Sequence, residues 1–359
     1  MRNQLSKSDS QVLKGIAICA MLCHHLFLNP QDHFPTANHA NMALIGDIGK
    51  ICVSLFVFVS GYGMAKCFCK LNYEQNRPWK MGVRCYSLVA KRLMHFYLQY
   101  WLVFLIFVPL GIFVFHQSLA GRYGDVNLLK HLIYDFWGLQ RFRSYNITWW
   151  FNMLIIILYL ASPFFYGLAK KMMLPSLVLL LCFSFFTDGS FSNKSYFMNE
   201  YAISFYLGMV IALKGESIVS IISSLPKWLS CLIPVLWIMM FCMLREMNWL
   251  QLGGTRADAF ISFGLAVLLM TNKLPSCLES PLAFLGKHSA NIYLIHTFIF
   301  AYWFSDILFR IQSPILIFSS LLFVCVVLSM LLGWIRKMLR IDSIQLFVDR
   351  KIDHYAYSV

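Results

Sequence analysis

The chain is dominated by unbroken apolar runs of about twenty residues, and these limit its possible folds more than any motif does. A run of that length, wound as a helix, matches a hydrocarbon layer of about 30 Å. Within lipid every backbone N–H and C=O needs a partner inside the protein, which leaves helices or a closed barrel. Barrel strands would show alternating segments of about ten residues. The runs here are continuous instead, near 12–29, 44–67, 92–116, 149–169, 172–187, 200–213, 228–244, 257–271, 290–309 and 314–334. Composition agrees, since 59% of the 359 residues are hydrophobic and only 13% are charged, against about 25% charged in a soluble protein. The expected fold is an all-α polytopic membrane protein with about ten transmembrane helices.

The formal charge of +14 is not a nucleic-acid signal, because the cations lie in short loops between apolar runs. Lys7, Lys14, Lys66, Lys70, Lys80, Arg84, Lys91, Arg92, Lys170, Lys171, Arg336, Lys337, Arg340, Arg350 and Lys351 fall on one side. Fewer fall on the other, among them Lys50, Arg122, Lys130, Arg245, Arg256 and Arg310. The positive-inside rule then places both termini in the cytoplasm, with membrane lipids as the surroundings. The first run holds His24 and His25 and lacks a small-x-small cleavage pattern, so it reads as a retained helix rather than a signal peptide. Residues 1–340 read as one transmembrane domain and 341–359 as a short cytoplasmic tail. The longest outer loop, 117–148, contains a mixed apolar and charged stretch from Leu128 to Trp137 that reads as an interfacial or re-entrant helix. The eleven Cys residues show no metal-ligand spacing and read as small buried hydrophobes; no metal site is expected. Asn146-Ile147-Thr148 and Asn193-Lys194-Ser195 fit the glycosylation pattern on the outer side.

Lys14 and His25 stand eleven residues apart in the first run. At 100° per residue they end about 20° apart on one helix face, with a rise of about 16 Å. A cation near the membrane surface is thus in line with an imidazole near the midplane. Ionisable groups at that depth are expensive and point to function. The pair suits an anionic ligand held at one surface and proton chemistry deeper in.

The first run resembles the opening of the membrane acyltransferase-3 family, integral-membrane O-acyltransferases of envelope glycans, whose first helix carries a basic residue, ten further residues and a His. Ser54-Leu55-Phe56-Val57-Phe58-Val59-Ser60-Gly61-Tyr62 resembles its second-helix FFFxSGY stretch. Arg92-Leu93-Met94-His95-Phe96-Tyr97-Leu98-Gln99-Tyr100 resembles RxxRxxPxY, with His95 and Leu98 in place of Arg and Pro. Trp149-Trp150-Phe151 through Tyr159 and Pro163 resembles the fourth-helix WFL…Y…P run, and Phe205-Tyr206-Leu207-Gly208 resembles FxxG. The run from Leu285-Gly286 through Ser289 and Tyr293 to His296 is similar to LGxxSxxxYLxH.

The resemblance implies acyl transfer from a cytoplasmic acyl-CoA, most simply acetyl-CoA as co-substrate with no tightly bound cofactor. The acceptor would be a hydroxyl of an extracytoplasmic polysaccharide or its lipid-linked glycolipid precursor, in a bacterial inner membrane. Lys14, Lys91 and Arg92 are the candidates for holding the donor's phosphates. His25 is the candidate general base, because a desolvated imidazole keeps a proton-accepting form near neutral pH; an acyl-His intermediate stays open. His24 and Asp47 are candidates for orienting a histidine or binding the acceptor. Ser60, Tyr62, Asn152 and Tyr293 could donate to a developing oxyanion, although Ser60-Gly61 also suits close helix packing. Trp149 and Trp150 suit either an interface belt or a stacking platform for a sugar ring, and His296 is a further lining candidate. Two alternatives stay open: a transporter or flippase of glycan intermediates, against which the absence of internal repeats argues, and a non-catalytic family relative.

Overall fold

The computed structural model describes residues 4–34, 39–71, 78–124, 126–140, 143–190, 197–247 and 254–358. The pattern Asn193-Lys194-Ser195 lies outside the described residues. Every regular element among the described residues is helical. In chain order they are α1 (Lys7–Phe27), α2 (His39–Gly49), α3 (Ile51–Phe68), α4 (Pro78–Phe113), α5 (Leu119–Tyr123), α6 (Leu128–Phe136), α7 (Trp150–Lys171) and α8 (Met173–Ser190). There follow α9 (Phe197–Ser223), α10 (Lys227–Met247), α11 (Thr255–Thr271), α12 (Ser276–Thr297), α13 (Ser305–Phe309), α14 (Pro314–Met338) and α15 (Ile341–Ser358).

Seven helical stretches are long and apolar enough to cross a membrane: Lys7–Phe27, His39–Phe68, Trp79–Phe113, Ile147–Lys171, Glu200–Ser223, Lys227–Met247 and Pro314–Met338. This makes the chain an integral, multi-pass helical membrane protein. The three other expected segments are also helical but meet the requirement less well. The apolar part of α8, Met173–Phe185, is short. α11 has 17 residues and carries Arg256 and Asp258 in its first turn. The segment near 290–309 is divided, because α12 runs into a π-helical stretch at Phe298–Trp303 and then the short α13.

The chain forms two compact units. The first comprises Met1–Met21, Ile48–Cys85 and Ala161–Lys287. Its helices meet backbone to backbone at glycines. A Cβ on Gly61 of α3 would lie 2.0 Å from the Phe205 carbonyl oxygen of α9, and one on Gly208 of α9 would lie 2.0 Å from the Phe58 carbonyl oxygen of α3. The crossing of α1 with α12 repeats this: a Cβ on Gly15 would meet Leu282 O at 2.1 Å and one on Gly286 would meet Gln11 O at 1.9 Å. Without a hydrophobic driving force inside lipid, such close approach supplies the dispersion contact that holds helices together. The unit also buries ionic groups: Arg245 Nε donates to Asp258 Oδ1 at 3.0 Å, and Arg256 Nε donates to Ser184 Oγ at 2.8 Å.

The second unit comprises Leu22–Asp47, Tyr86–Leu160 and His288–Val359. Residues 341–358, expected as a tail, form α15. This helix is tied to the unit by an ion pair of Asp353 with Lys91 and by Arg336 Nε donating to Asp342 Oδ1 at 2.8 Å. The second unit also holds the histidine cluster.

Candidate active site

His24 and His25 occupy the last turn of α1. α2 packs on that turn at Gly46, where a Cβ would sit 2.5 Å from the Leu28 backbone nitrogen. Only glycine allows this approach, and it brings the Gly46 carbonyl 2.8 Å from His24 Nδ1. The carbonyl can only accept, so His24 carries its proton on Nδ1. His25 is half-buried and lines an open cleft of about 160 Å³ together with His24, Leu26, Leu28, Asn29 and His33. Its ring is edge-on to His24 at 5.0 Å, lies 5.0 Å from the ring of His296 and stacks on Phe300 at 5.8 Å. At the cleft, His33 stacks on Phe309 at 3.8 Å.

His296 arrives at the C-terminal end of α12, just before the π-helical stretch. Such widened turns recur at functional sites. Here the turn sets Phe300 against both imidazoles, 5.9 Å from His296. His296 is fully buried. Its Nδ1 faces the carbonyls of Tyr293 at 2.8 Å and Ile292 at 3.1 Å on its own helix, so Nδ1 is the protonated nitrogen and Nε2 is left as an acceptor. Nε2 lies 3.3 Å from Thr297 Oγ1. Thr297 Oγ1 is 3.0 Å from Thr148 Oγ1, which donates to Asn146 Oδ1 at 2.8 Å. Asn146 is fully buried and also accepts from the Thr148 backbone N–H at 3.0 Å. The Asn-Ile-Thr tripeptide is therefore a local cap rather than an exposed glycan acceptor.

The sequence candidates divide between the units. His24, His25 and His296 come together. Tyr293, Asn152 and Trp149 lie beside them through Thr148: Tyr293 OH donates to Thr148 O at 2.9 Å and to Asn152 Oδ1 at 3.2 Å, and Trp149 Nε1 donates to Leu294 O at 3.1 Å. Trp149 is 1% exposed and packed against Tyr100 and Phe298. An enclosed ring offers no face to a sugar, which corrects the stacking-platform expectation; Trp150 is half-buried against Phe151. Asp47 follows Gly46 in α2 and is half-buried. Lys91 is held by Asp353, and Arg92 lies over the Tyr159 ring at 6.0 Å. Both are on α4, eight or nine residues and about 13 Å before Tyr100.

Lys14, Ser60 and Tyr62 belong to the first unit. The Ser60 hydroxyl donates to Phe56 O at 2.8 Å and the Tyr62 hydroxyl to Leu5 O at 2.7 Å. Each hydroxyl has one hydrogen, so neither is poised for an oxyanion as the sequence suggested. Tyr293 is committed in the same way. Asn152 differs, because its Nδ2 is buried with no acceptor within hydrogen-bond distance among the described residues.

Sequence reasoning missed Thr297, Thr148, Phe300, His33 and Asp135. Asp135 lies in the last turn of α6 and is 1% exposed. Its Oδ2 accepts from the Tyr145 backbone N–H at 2.6 Å and from Tyr123 OH at 2.9 Å, while its carbonyl accepts from Tyr100 OH at 2.5 Å. Burial pushes the carboxyl up to about 6 against the opposing pull of these bonds.

The helices and the histidine cluster define a multi-pass membrane protein with a paired-imidazole site. The chain belongs to the acyltransferase-3 family: the family model, described as an acyltransferase domain, matches residues 8–334. It is thus a membrane acyltransferase by family. No curated protein and no solved structure matches it.

Proposed function

We propose that the chain is an O-acyltransferase that moves an acetyl group from cytoplasmic acetyl-CoA to a hydroxyl of an extracytoplasmic polysaccharide or its lipid-linked precursor. The host membrane would be a bacterial inner membrane, crossed by about ten helices with both termini in the cytoplasm. The observation that carries this reading is His25, a half-buried imidazole opening into a cleft with two further histidines at its edge. His25 takes the proton of the acceptor hydroxyl as the oxygen attacks the thioester carbonyl. The tetrahedral intermediate then expels the CoA thiolate, and the proton on His25 passes to that sulfur, so His25 ends as it began. Asn152, with amide hydrogens not committed, is the favoured donor to the oxyanion. Lys14, about 16 Å before His25 along α1, with Lys91 and Arg92, supplies cations for the donor's phosphates.

The test is CoA release by the purified protein in lipid, supplied with acetyl-CoA, for wild type, His25→Ala and Lys14→Ala. Wild type should release CoA, His25→Ala should lose at least about 100-fold, and Lys14→Ala should need more donor. Equal rates for wild type and His25→Ala would remove His25 as base.

A further inference from the structure

A histidine base works best when another group fixes which ring nitrogen carries its proton, usually a carboxylate. Among the described residues the rings set against His25 are those of His24, His296 and Phe300, and no acid lines its cleft. His24 already gives its Nδ1 proton to Gly46. By the same reasoning His24 keeps a lone pair on Nε2, but its ring is half-buried, edge-on to His25 and adjacent to it on α1. His296, by contrast, is fully buried and comes from α12. Its Nδ1 hydrogen is held by two carbonyls of its own helix, so Nε2 offers a lone pair inside a buried site.

The neighbouring threonines sharpen the point. Thr148 gives its hydrogen to Asn146, which leaves the Thr148 oxygen free to accept. Thr297 has one hydrogen and two possible acceptors, Thr148 Oγ1 at 3.0 Å and His296 Nε2 at 3.3 Å. The shorter contact favours Thr148. His296 Nε2 then lacks a donor, and the ring next to it, 5.0 Å away between centroids, is His25. Phe300 stacks on both imidazoles and limits their tilt. Catalytic hydrogen bonds are commonly long in unliganded sites and close on binding substrate.

We infer that His296 is a positioning residue: its Nε2 accepts the N–H of one His25 ring nitrogen and so presents the other nitrogen, unprotonated, to the acceptor hydroxyl. A neutral imidazole fills the place of the acid in a triad. When His25 takes up the acceptor's proton, the His296 lone pair remains bonded to the imidazolium and no second proton moves. The inference rests on the reading of His25 as base, and it makes Asn146, Thr148 and Thr297 the line that keeps His296 Nε2 available.

The experiment is ¹⁵N NMR of histidine-labelled full-length protein in nanodiscs, which reads the His25 tautomer without turnover, combined with kinetics. Wild type should show one His25 tautomer. His296→Ala should show both, with kcat lowered about 100-fold and KM for acetyl-CoA unchanged within about twofold. His296→Gln, whose Oε1 still accepts, should restore the single tautomer and at least about tenfold of kcat. Thr297→Val should leave the tautomer as in wild type, since Thr297 is not the donor. A single unaltered tautomer in His296→Ala overturns the inference, as does failure of His296→Gln to recover or a mixed population in Thr297→Val. If the tautomers respond as stated but no variant or wild type releases CoA, the pairing stands and the acyl-transfer role of His25 falls.

Discussion

Asp135→Asn isolates a carboxyl in α6 that the fold holds against its solution chemistry. In the folded chain the Asp135 carboxyl titrates at about 6, against an ordinary 3.8, because burial removes the water that would stabilise its charge. Between those values the folded protein holds a proton that the unfolded chain has released. Stability therefore falls as pH rises from about 4 to about 6 and is level on either side. Two units at about 1.4 kcal/mol each make the effect about 3 kcal/mol. The asparagine keeps an oxygen to accept from Tyr145 N–H and Tyr123 OH but cannot ionise. The melting curves of wild type and variant should thus diverge with pH, wild type losing about 5 °C more between pH 4 and pH 7 than Asp135→Asn loses. Other titrating groups cancel in the comparison. A thiol-reactive dye reports unfolding as reaction beyond that of the exposed Cys69, Cys182, Cys231, Cys242 and Cys277, because Cys52 and Cys325 are buried in the fold. Parallel curves from pH 4 to pH 8 would show that Asp135 ionises normally in the fold and that its burial has been misjudged.

Two further perturbations address the first unit. Gly61→Ala puts a methyl 2.0 Å from the Phe205 carbonyl oxygen, so α3 and α9 must part by more than about 1 Å, at a cost of about 1–3 kcal/mol or more; a melting temperature equal to wild type would refute the crossing. Arg245→Met leaves Asp258 charged in a site where it is 0% exposed and should cost about 3–5 kcal/mol, whereas Arg245→Met with Asp258→Leu should recover most of it. A double variant no more stable than the single one would mean that the pair is not the source of the loss.

The helical class was legible because low charge and long apolar runs leave the backbone no other way to satisfy itself in lipid. The number of spans was less legible. Seven stretches meet the length and apolarity of a span, whereas α11 has 17 residues and keeps Arg256 and Asp258 buried in the protein. His25 stands out in the sequence by its expected depth and its register with Lys14, and the structure sets it beside His24 and His296. His296 does not stand out in that way: it follows His25 by 271 positions, and the contact depends on a π-helical turn that no periodicity announces. Nor did sequence show that Asn146 and Thr148 form a buried cap, because the tripeptide fits the glycosylation pattern whether its Asn is buried or not. Ser60 and Tyr62 looked like free donors for a related reason. Whether a hydroxyl is available depends on which carbonyl lies opposite, and that is a tertiary fact.

The family-like motifs contain glycines that pack one helix on another as well as polar residues proposed for chemistry. Gly15, Gly61, Gly208 and Gly286 all lie in the first unit, where each touches the backbone of a facing helix. The SGY and FxxG stretches are two halves of a single crossing, Gly61 on Phe205 and Gly208 on Phe58. The glycines after Lys14 and after Leu285 likewise form the crossing of α1 with α12. The proposed base His25, with His296 and Asn152, lies in the second unit, whereas Lys14, proposed to bind the donor, lies in the first. Two of the motif stretches carry both kinds: Lys14-Gly15 begins the run that ends in His25, and Leu285-Gly286 begins the run that ends in His296. On α1 and α12, then, a packing glycine precedes an imidazole by ten residues of sequence. Substitution at the glycine end should appear first as lost stability, and at the histidine end as lost turnover in a protein that still folds. On the proposed reading, such a motif carries a packing glycine and a catalytic histidine on the same helix.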